Sequence, residues 1–493
     1  MPEEAAPAVA RTTRALALTG LAAVLLASAV LRLHHLDTES VWLDEAFSIA
    51  TSRTSLANIV AENSQDVHPP LHYFLLHYWG LIAGTTTWAG RALSVVCSLG
   101  TIAAAYLAGA RLRSRATGLV AAILLAISVF QIEFAQEARM YALLVLLSTL
   151  SIYFFIRLLD ESSPRVFAGY AIATTLMVYT QAYAAFVLAA QAMSLAWEAW
   201  RRRERTIPAA TRWIVALIVV LAAFLPWLAI FTWQFSAVQR GFWIAEPEWA
   251  GIFAPLFAYA GSKAGLALLA PLAVIGGICM ATPRARDRTS TMRAPLVVVL
   301  PWLLAPIVLP FLLSRIGSPI FLSKYTIAAS VPFAILVADG IVAVRWTVVR
   351  VVLVTGIIAL AVPPLQTYYS TSRKDNWRAA VPAIEQQAQP DDLILFYPYF
   401  HRIPFDYYRQ RDDLVERAFP LFTPPPPPDG WDRTIARAAG QHRRIWLVTL
   451  QGDPTRAAVV AEFERRFAER SHQKLQHIEV WLFEANRRVA RNP

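Results

Sequence analysis

Apolar stretches of membrane-crossing length, recurring along most of the chain, narrow what this sequence can fold into more than any other feature. Ala15–Val30 and Leu296–Leu313 carry no charged residue and approach the roughly 20 apolar residues that span a bilayer core. Inside lipid, each segment must satisfy its own backbone N–H and C=O groups, so these stretches are read as helices. Composition agrees: 56% of the 493 residues are hydrophobic and 16% are charged, against about 25% charged in a soluble domain.

The net charge of +11 does not point to nucleic acid, because the basic residues gather in short clusters between apolar spans. These are Arg111, Arg113 and Arg115; Arg201, Arg202, Arg203 and Arg205; Arg284, Arg286 and Arg288; and Arg345 and Arg350. Cytoplasmic loops have this distribution, and the sequence has no basic face interleaved with aromatics. Cys97 and Cys279 both fall within apolar spans, leaving no disulfide framework and no thiol metal motif. The first apolar segment follows Arg11 and Arg14 as a signal peptide would. It runs on to Leu33 without a small-residue cleavage site, so it is expected to remain as a first anchor with its N-terminus inside.

With the basic clusters as inside markers, the chain threads as about eleven spans. They fall near 14–33, 90–110, 116–132, 140–158, 166–180, 183–199, 212–231, 264–281, 294–313, 326–344 and 349–365. The expected fold is therefore a polytopic α-helical membrane protein over residues 1–365, followed by a soluble α/β domain over 366–493 on the outside face. In that domain Asp391–Tyr397 and Arg444–Leu450 read as buried strands. Asp375–Gln387 and Pro454–Arg470 read as helices with Asp375 and Asp453 as N-caps, and Pro424–Pro428 as a stiff connector.

The outside loop 34–89 is long enough to need a functional reason. It holds Asp44 and Glu45 among Trp42, Leu43 and Phe47, apolar neighbours that would press the carboxylates against the membrane surface and raise their basicity. A carboxylate of raised basicity can take the proton of an attacking hydroxyl, and an anion that leaves in such a reaction needs a cradle of donors. Further on, Pro69 and Pro70 suit the start of a helix, with Asp66 and His68 just outside its anion-attracting end. An imidazole there can touch a phosphate or a metal, so Asp66 and His68 are candidates to orient a group or to hold a divalent ion. His72 and His77 read as packing beside Tyr73, Tyr78 and Trp79. Two outside turns supply cations: Arg139, in Gln136–Tyr141, and Lys324, in Phe321–Tyr325. Glu137, Tyr141 and Tyr325 flank them as candidate contacts to donor or acceptor.

These segments together resemble the C-type (GT-C) membrane glycosyltransferases. The likeness is to the bacterial family 39, protein mannosyltransferase-like and aminoarabinose-transferase-like group. WLDEAFS (42–48), DVHPPLHYFLLHYW (66–79), QEARMYALL (136–144), SPIFLSKY (318–325) and KDNWRAA (374–380) carry it, in order. The resemblance implies a GT-C fold and an inverting hexosyl- or pentosyltransferase, with Asp44 as catalytic base and Glu45 as its companion. It implies Arg139 and Lys324, with His68, near the phosphate of a polyprenyl-phosphate-linked sugar. Many relatives carry arginine where Lys324 stands, which here keeps the charge but loses bidentate geometry. The expected setting is the inner (plasma) membrane, with membrane lipids around the chain and the catalytic face extracytoplasmic. The acceptor class is left open among lipid, protein and polysaccharide. A divalent ion is a candidate cofactor and none is required by the motifs; nucleic acid is not a partner. The competing class is a transporter or lipid flippase, which would place ionisable residues along a mid-membrane path and show repeated halves.

Overall fold

The computed structural model describes residues 5–240, 244–282, 294–419, 430–440 and 442–485. The chain forms two compact units, one from Met1–Leu36 and Thr51–Thr371, the other from Asp37–Ala50 and Ser372–Pro493. The cluster Arg284–Arg288, Trp243 and the proline run Pro424–Pro428 lie outside the described residues.

After α1 (Ala5–Leu33), the expected long loop is largely helical: α2 (Leu43–Ser52), α3 (Leu56–Gln65) and α4 (Leu71–Ala83). Local chemistry accounts for the breaks. Ser55 caps α3 by accepting from the Asn58 N–H, Pro70 sits at the N-cap of α4, and Gly84 ends α4 at φ +85°, where a side chain would be strained. The chain continues through α5 (Thr87–Leu112), α6 (Arg115–Ile127), α7 (Val129–Ala135), α8 (Tyr141–Asp160) and α9 (Pro164–Val178). Next come α10 (Ala184–Arg240), α11 (Ala254–Ala260), α12 (Lys263–Ala281), α13 (Leu296–Ile316), α14 (Ser330–Ala343) and α15 (Thr347–Ser370).

Among the described residues, eight helices are long and apolar enough to cross a membrane, or nine if α6 and α7, bent by 65° at Ser128, count as one span. The expected eleven included 166–180, which is the 15-residue α9, shorter than the roughly 20 residues a bilayer core asks for. The expected spans near 183–199 and 212–231 both lie in the 57 residues of α10. Trp213 nonetheless donates to Gln191 Oε1 at 3.0 Å, whereas a straight helix would hold those residues about 33 Å apart. The chain therefore doubles back between them, as a hairpin would.

Helices α12 and α14 approach so closely that a Cβ on Gly276 would lie 1.9 Å from the Leu336 carbonyl oxygen, so only glycine fits there. One end of the bundle is charged. Arg111 pairs with Asp160 at 3.1 Å, Arg157 with Glu161 at 2.7 Å, and Arg113 with Asp339 at 3.1 Å. The other end of α8 is Tyr141, at the far end of the 20-residue helix from Asp160 and so about 28 Å away along the helix axis.

The second unit is built on a five-stranded sheet in the order β2-β1-β3-β5-β4. Its strands are β1 (Leu393–Tyr397), β2 (Val415–Ala418), β3 (Arg444–Leu450), β4 (Phe467–Leu475) and β5 (Ile478–Ala485). β1 runs parallel to β2 and β3, while β5 is antiparallel to both β3 and β4. Successive strand residues point to opposite faces, and both faces of β1 and β3 are covered. Ile394, Phe396, Trp446 and Val448 pack with Trp377 and Ile384 of α16 (Trp377–Glu385) and Phe405 of α17 (Arg402–Tyr408). Leu393, Leu395, Ile445 and Leu447 pack with Ile435 of α18 (Gly430–Ala439) and Val459 of α19 (Arg456–Glu464). The two expected strands are β1 and β3. The cap of α16 is Asn376, one residue beyond the expected Asp375, and β4 takes up the end of the expected helix Pro454–Arg470.

His401 is 3% exposed, stacks on Trp377 at 5.9 Å, and keeps Nδ1 without a hydrogen-bond partner among the described residues. Desolvation pushes its pKa from 6.5 down to about 4, with Asp453 opposing. The unfolded chain thus binds this proton more readily than the folded one. Acidification from pH 6.5 to 4 should weaken the second unit by on the order of 3 kcal/mol, with no further loss from this group below pH 4. Hydrogen exchange of β1 and β3 in the full-length protein in nanodiscs measures this. His401→Phe should flatten the profile, and an unaltered profile in the variant would reject the assignment.

Candidate active site

WLDEAFS forms the start of α2, with Asp44 and Glu45 in its first turn, where carboxylates are favoured by the helix dipole. Glu45 is fully buried, and its Oε2 accepts from Lys374 Nζ at 2.8 Å. The chain before α2 is held by the same stretch of the second unit. The Glu39 carboxylate accepts from the N–H groups of Arg373 and Lys374 and from the Ser372 hydroxyl. Arg378 pairs with Asp37 at 3.1 Å and donates its N–H to Ser40 Oγ at 3.2 Å. The Val41 N–H donates to the Tyr408 hydroxyl at 2.8 Å. KDNWRAA is therefore the seat of the carboxylate loop. Consecutive helical residues point about 100° apart. With Glu45 turned to Lys374, half-buried Asp44 occupies a different face of α2.

In the first unit, Arg139 lies buried in the turn between α7 and α8. Its Nη1 donates to the Tyr73 hydroxyl at 3.4 Å, and Tyr73 in turn bonds to the Asp66 carboxylate. Asp66 is the C-cap residue of α3. Burial raises its pKa above the ordinary carboxylate value, while the Arg139 charge and the bonds from the Val67 N–H and Tyr73 pull it back. His72 is fully buried and lies against Ala138, the residue before Arg139, with Nε2 3.3 Å from its carbonyl oxygen. Burial, then the Arg139 charge, pushes His72 down to about 3, with a smaller contribution from nearby His68. A neutral imidazole beside a carbonyl donates Nε2–H, so His72 fastens the turn without adding charge. His68 is itself buried.

Lys324 opens the 3₁₀ turn Ser323–Ala329 that leads into α14. Its Nζ lies 5.7 Å from the Tyr141 ring centroid and 5.5 Å from that of Tyr325, within cation–π range. Those two rings stack at 6.1 Å, and Tyr183 lies 5.3 Å from Tyr325. Arg139 and Tyr141 are two residues apart, so one turn joins the guanidinium to the aromatic platform of the lysine. Glu137 is buried in the same turn. Among the described residues, no group of three or more His, Cys, Asp and Glu is arranged to hold a metal ion.

Sequence reasoning missed two participants here. Tyr73, read as an interfacial aromatic, lies between Asp66 and Arg139. His72, read as packing, holds the Arg139 turn. His77 does pack, with Nδ1 2.8 Å from the Ser52 carbonyl oxygen. Asp66, His68 and Arg139 were named from the sequence, but nothing there tied Tyr73 or His72 to the Arg139 turn.

Removing Lys374 would leave the buried Glu45 carboxylate without its lysine. Lys374→Met should destabilise the second unit by roughly 3–5 kcal/mol, and Lys374→Met with Glu45→Leu should recover most of that loss. Thermal unfolding of the full-length protein in detergent checks both. A double variant no better than the single would mean that the pair is not what holds α2.

None of the curated proteins matches this sequence. Residues 67–230 match the family model of dolichyl-phosphate-mannose-protein mannosyltransferases. Among solved structures, ArnT from Cupriavidus metallidurans, bound to undecaprenyl phosphate, is 13% identical at a TM-score of 0.65, over 94% of this chain and 98% of that one. The archaeal oligosaccharyltransferase AglB from Archaeoglobus fulgidus, in complex with an inhibitory peptide and a dolichol-phosphate, is 12% identical at a TM-score of 0.55. That match covers 98% of this chain and 75% of AglB. The chain has the GT-C fold of these membrane enzymes, and within it a segment similar in sequence to the protein mannosyltransferases.

Proposed function

We propose that this chain is a glycosyltransferase that takes its sugar from a polyprenyl-phosphate lipid and passes it to a hydroxyl acceptor. The observation that carries the reading is the pairing of two cations, Arg139 and Lys324, through one turn at the Tyr141 end of α8. A lipid phosphate is an anion held at the membrane surface, and a guanidinium and an ammonium linked through one turn and its aromatic ring suit it. That ArnT was solved with undecaprenyl phosphate and AglB with a dolichol-phosphate supports the same donor class.

The reaction is a single displacement. The acceptor oxygen attacks the anomeric carbon as the bond from that carbon to the phosphate oxygen breaks, and the acceptor proton passes to Asp44. Arg139 and Lys324 meet the charge that develops on the leaving phosphate, with His68 beside them. Tyr73 and Asp66 hold the guanidinium in place. Glu45, committed to Lys374, supports α2 and leaves the proton transfer to Asp44. One displacement inverts the anomeric centre. Tyr141, Tyr325 and Glu137 border the donor phosphate, and the reading gives a divalent ion no step. The acceptor belongs to a lipid, protein or polysaccharide and the sugar is a hexose or pentose. We place the Arg111–Arg157 end of the bundle in the cytoplasm by the positive-inside rule. The Tyr141 end and the second unit are then extracytoplasmic, in the plasma membrane.

Proteoliposomes supplied with radiolabelled polyprenyl-phosphate sugars and a lipid extract test this. Asp44→Asn should lower kcat by roughly 10²–10⁴-fold with the donor KM little changed. Arg139→Met should raise the donor KM about tenfold or more, for one lost charge-assisted contact. Turnover in Asp44→Asn equal to the parent would remove that residue as base. Lipid moved between leaflets with no label transferred would replace the transferase with a flippase.

A further inference from the structure

An arginine inside a membrane span is costly and tends to mark function. Arg32, in the last turn of α1, is fully buried. Each of its three side-chain nitrogens donates. Nε donates to Ser98 Oγ at 2.8 Å, Nη1 to Ser28 Oγ at 2.5 Å and to the Ala126 carbonyl at 2.9 Å, and Nη2 to the Leu125 carbonyl at 3.0 Å. Leu125 and Ala126 belong to the last turn of α6. The 65° bend at Ser128 denies the last carbonyls of α6 the i+4 partners that a continuing helix would supply. Arg32 thus caps a helix broken within the membrane.

The same residue also holds the far end of α7. The Arg32 carbonyl accepts from Gln136 Nε2 at 2.8 Å, and the His34 carbonyl accepts from that nitrogen at 2.7 Å. Gln136 Oε1 accepts from the Tyr368 hydroxyl of α15 at 2.8 Å, and the neighbouring Tyr369 hydroxyl donates to the Leu31 carbonyl. Helix α7 is seven residues long. Arg32 fixes its start through the side chain and its end through the backbone, and Gln136 opens the turn that carries Ala138 and Arg139.

We infer that Arg32 and Gln136 are positioning residues for Arg139, setting where its guanidinium meets the donor phosphate. The inference rests on the proposed phosphate role of Arg139. It does not follow from the fold alone, since a capped break could serve stability without touching donor affinity. The two readings separate by experiment.

The test is the transfer assay together with binding of undecaprenyl phosphate to the purified full-length protein, for Arg32→Met, Gln136→Leu and Tyr368→Phe. Misplacing a group by about 1 Å can cost roughly a hundredfold. Gln136→Leu should accordingly raise the donor KM and the undecaprenyl phosphate Kd by about ten- to a hundredfold with kcat little changed, and Tyr368→Phe should shift both in the same direction by less. In an Arg139→Met background, Gln136→Leu should add nothing, because it acts through the residue already removed. Should Arg32→Met or Gln136→Leu fail to fold, Tyr368→Phe decides. Unchanged donor KM and Kd in a folded Gln136→Leu or Tyr368→Phe protein would overturn the inference, as would a loss that adds fully to that of Arg139→Met. A parent that transfers no sugar would instead overturn the proposed function, while the undecaprenyl phosphate Kd would still test the positioning.

Discussion

Lipid offers no hydrogen bonds to a broken helix, and the architecture of the first unit turns on how this chain meets that constraint at Ser128. Bending α6 into α7 by 65° frees carbonyls that water would normally satisfy. Arg32 satisfies two of them from α1, and the serines Ser28 and Ser98 each accept from a further donor. A guanidinium suits this place because its donors form a planar fork that reaches several acceptors at once. An ammonium would carry the charge but lack the fork. The bend then directs the chain into the turn of Arg139, so a solution to a solvation problem also leads into the turn of the cation proposed to meet the donor phosphate.

A related economy governs the carboxylates. Asp44 and Glu45 are adjacent in sequence but differ in environment, Glu45 being fully buried against Lys374 while Asp44 is half-buried. A buried ion pair contributes little net stability once desolvation is counted, but it fixes register, because neither partner can leave the other. Glu39 and Ser40 add bonds to the chain around Lys374, and Val41 adds one to Tyr408 of α17. The base proposed for catalysis is therefore carried on a short helix held by the second unit, and that unit's sheet, covered on both faces, gives the helix a rigid support.

Much of this was legible in the sequence, for reasons that differ by element. The spans show themselves because hydrophobicity over 20 residues is a strong signal. β1 and β3 do so because a central strand covered on both faces is apolar at nearly every position. The edge strands β2 and β4 are largely polar along their length, as Phe467–Leu475 illustrates, and gave no comparable signal. The reversal within α10 was anticipated from Arg201–Arg205, since a basic cluster between apolar runs marks an end of the membrane. Among site residues, Arg139 and Lys324 stood out as cations in turns at span boundaries, and Asp44 as a carboxylate set among apolar residues of a long loop. Arg32 did not, because one arginine at the end of a span reads as snorkelling to the headgroups, and only the acceptors of its guanidinium distinguish a cap from an anchor.

His72 illustrates the same limit from the opposite side. Its aromatic neighbours Tyr73, Tyr78 and Trp79 suggested inert packing. Burial and the adjacent Arg139 charge hold the imidazole neutral; bonded to the Ala138 carbonyl, it supports the turn while leaving the positive charge to Arg139. A protonated histidine in that place would repel the guanidinium from its seat. The neutral form instead lets the charged groups of the cluster, Asp66 and Arg139, define a local field with Tyr73 between them. Sequence spacing can name the residues of such a cluster, but protonation state depends on burial and on charges brought in from distant segments, so its roles emerge only once the chain is folded.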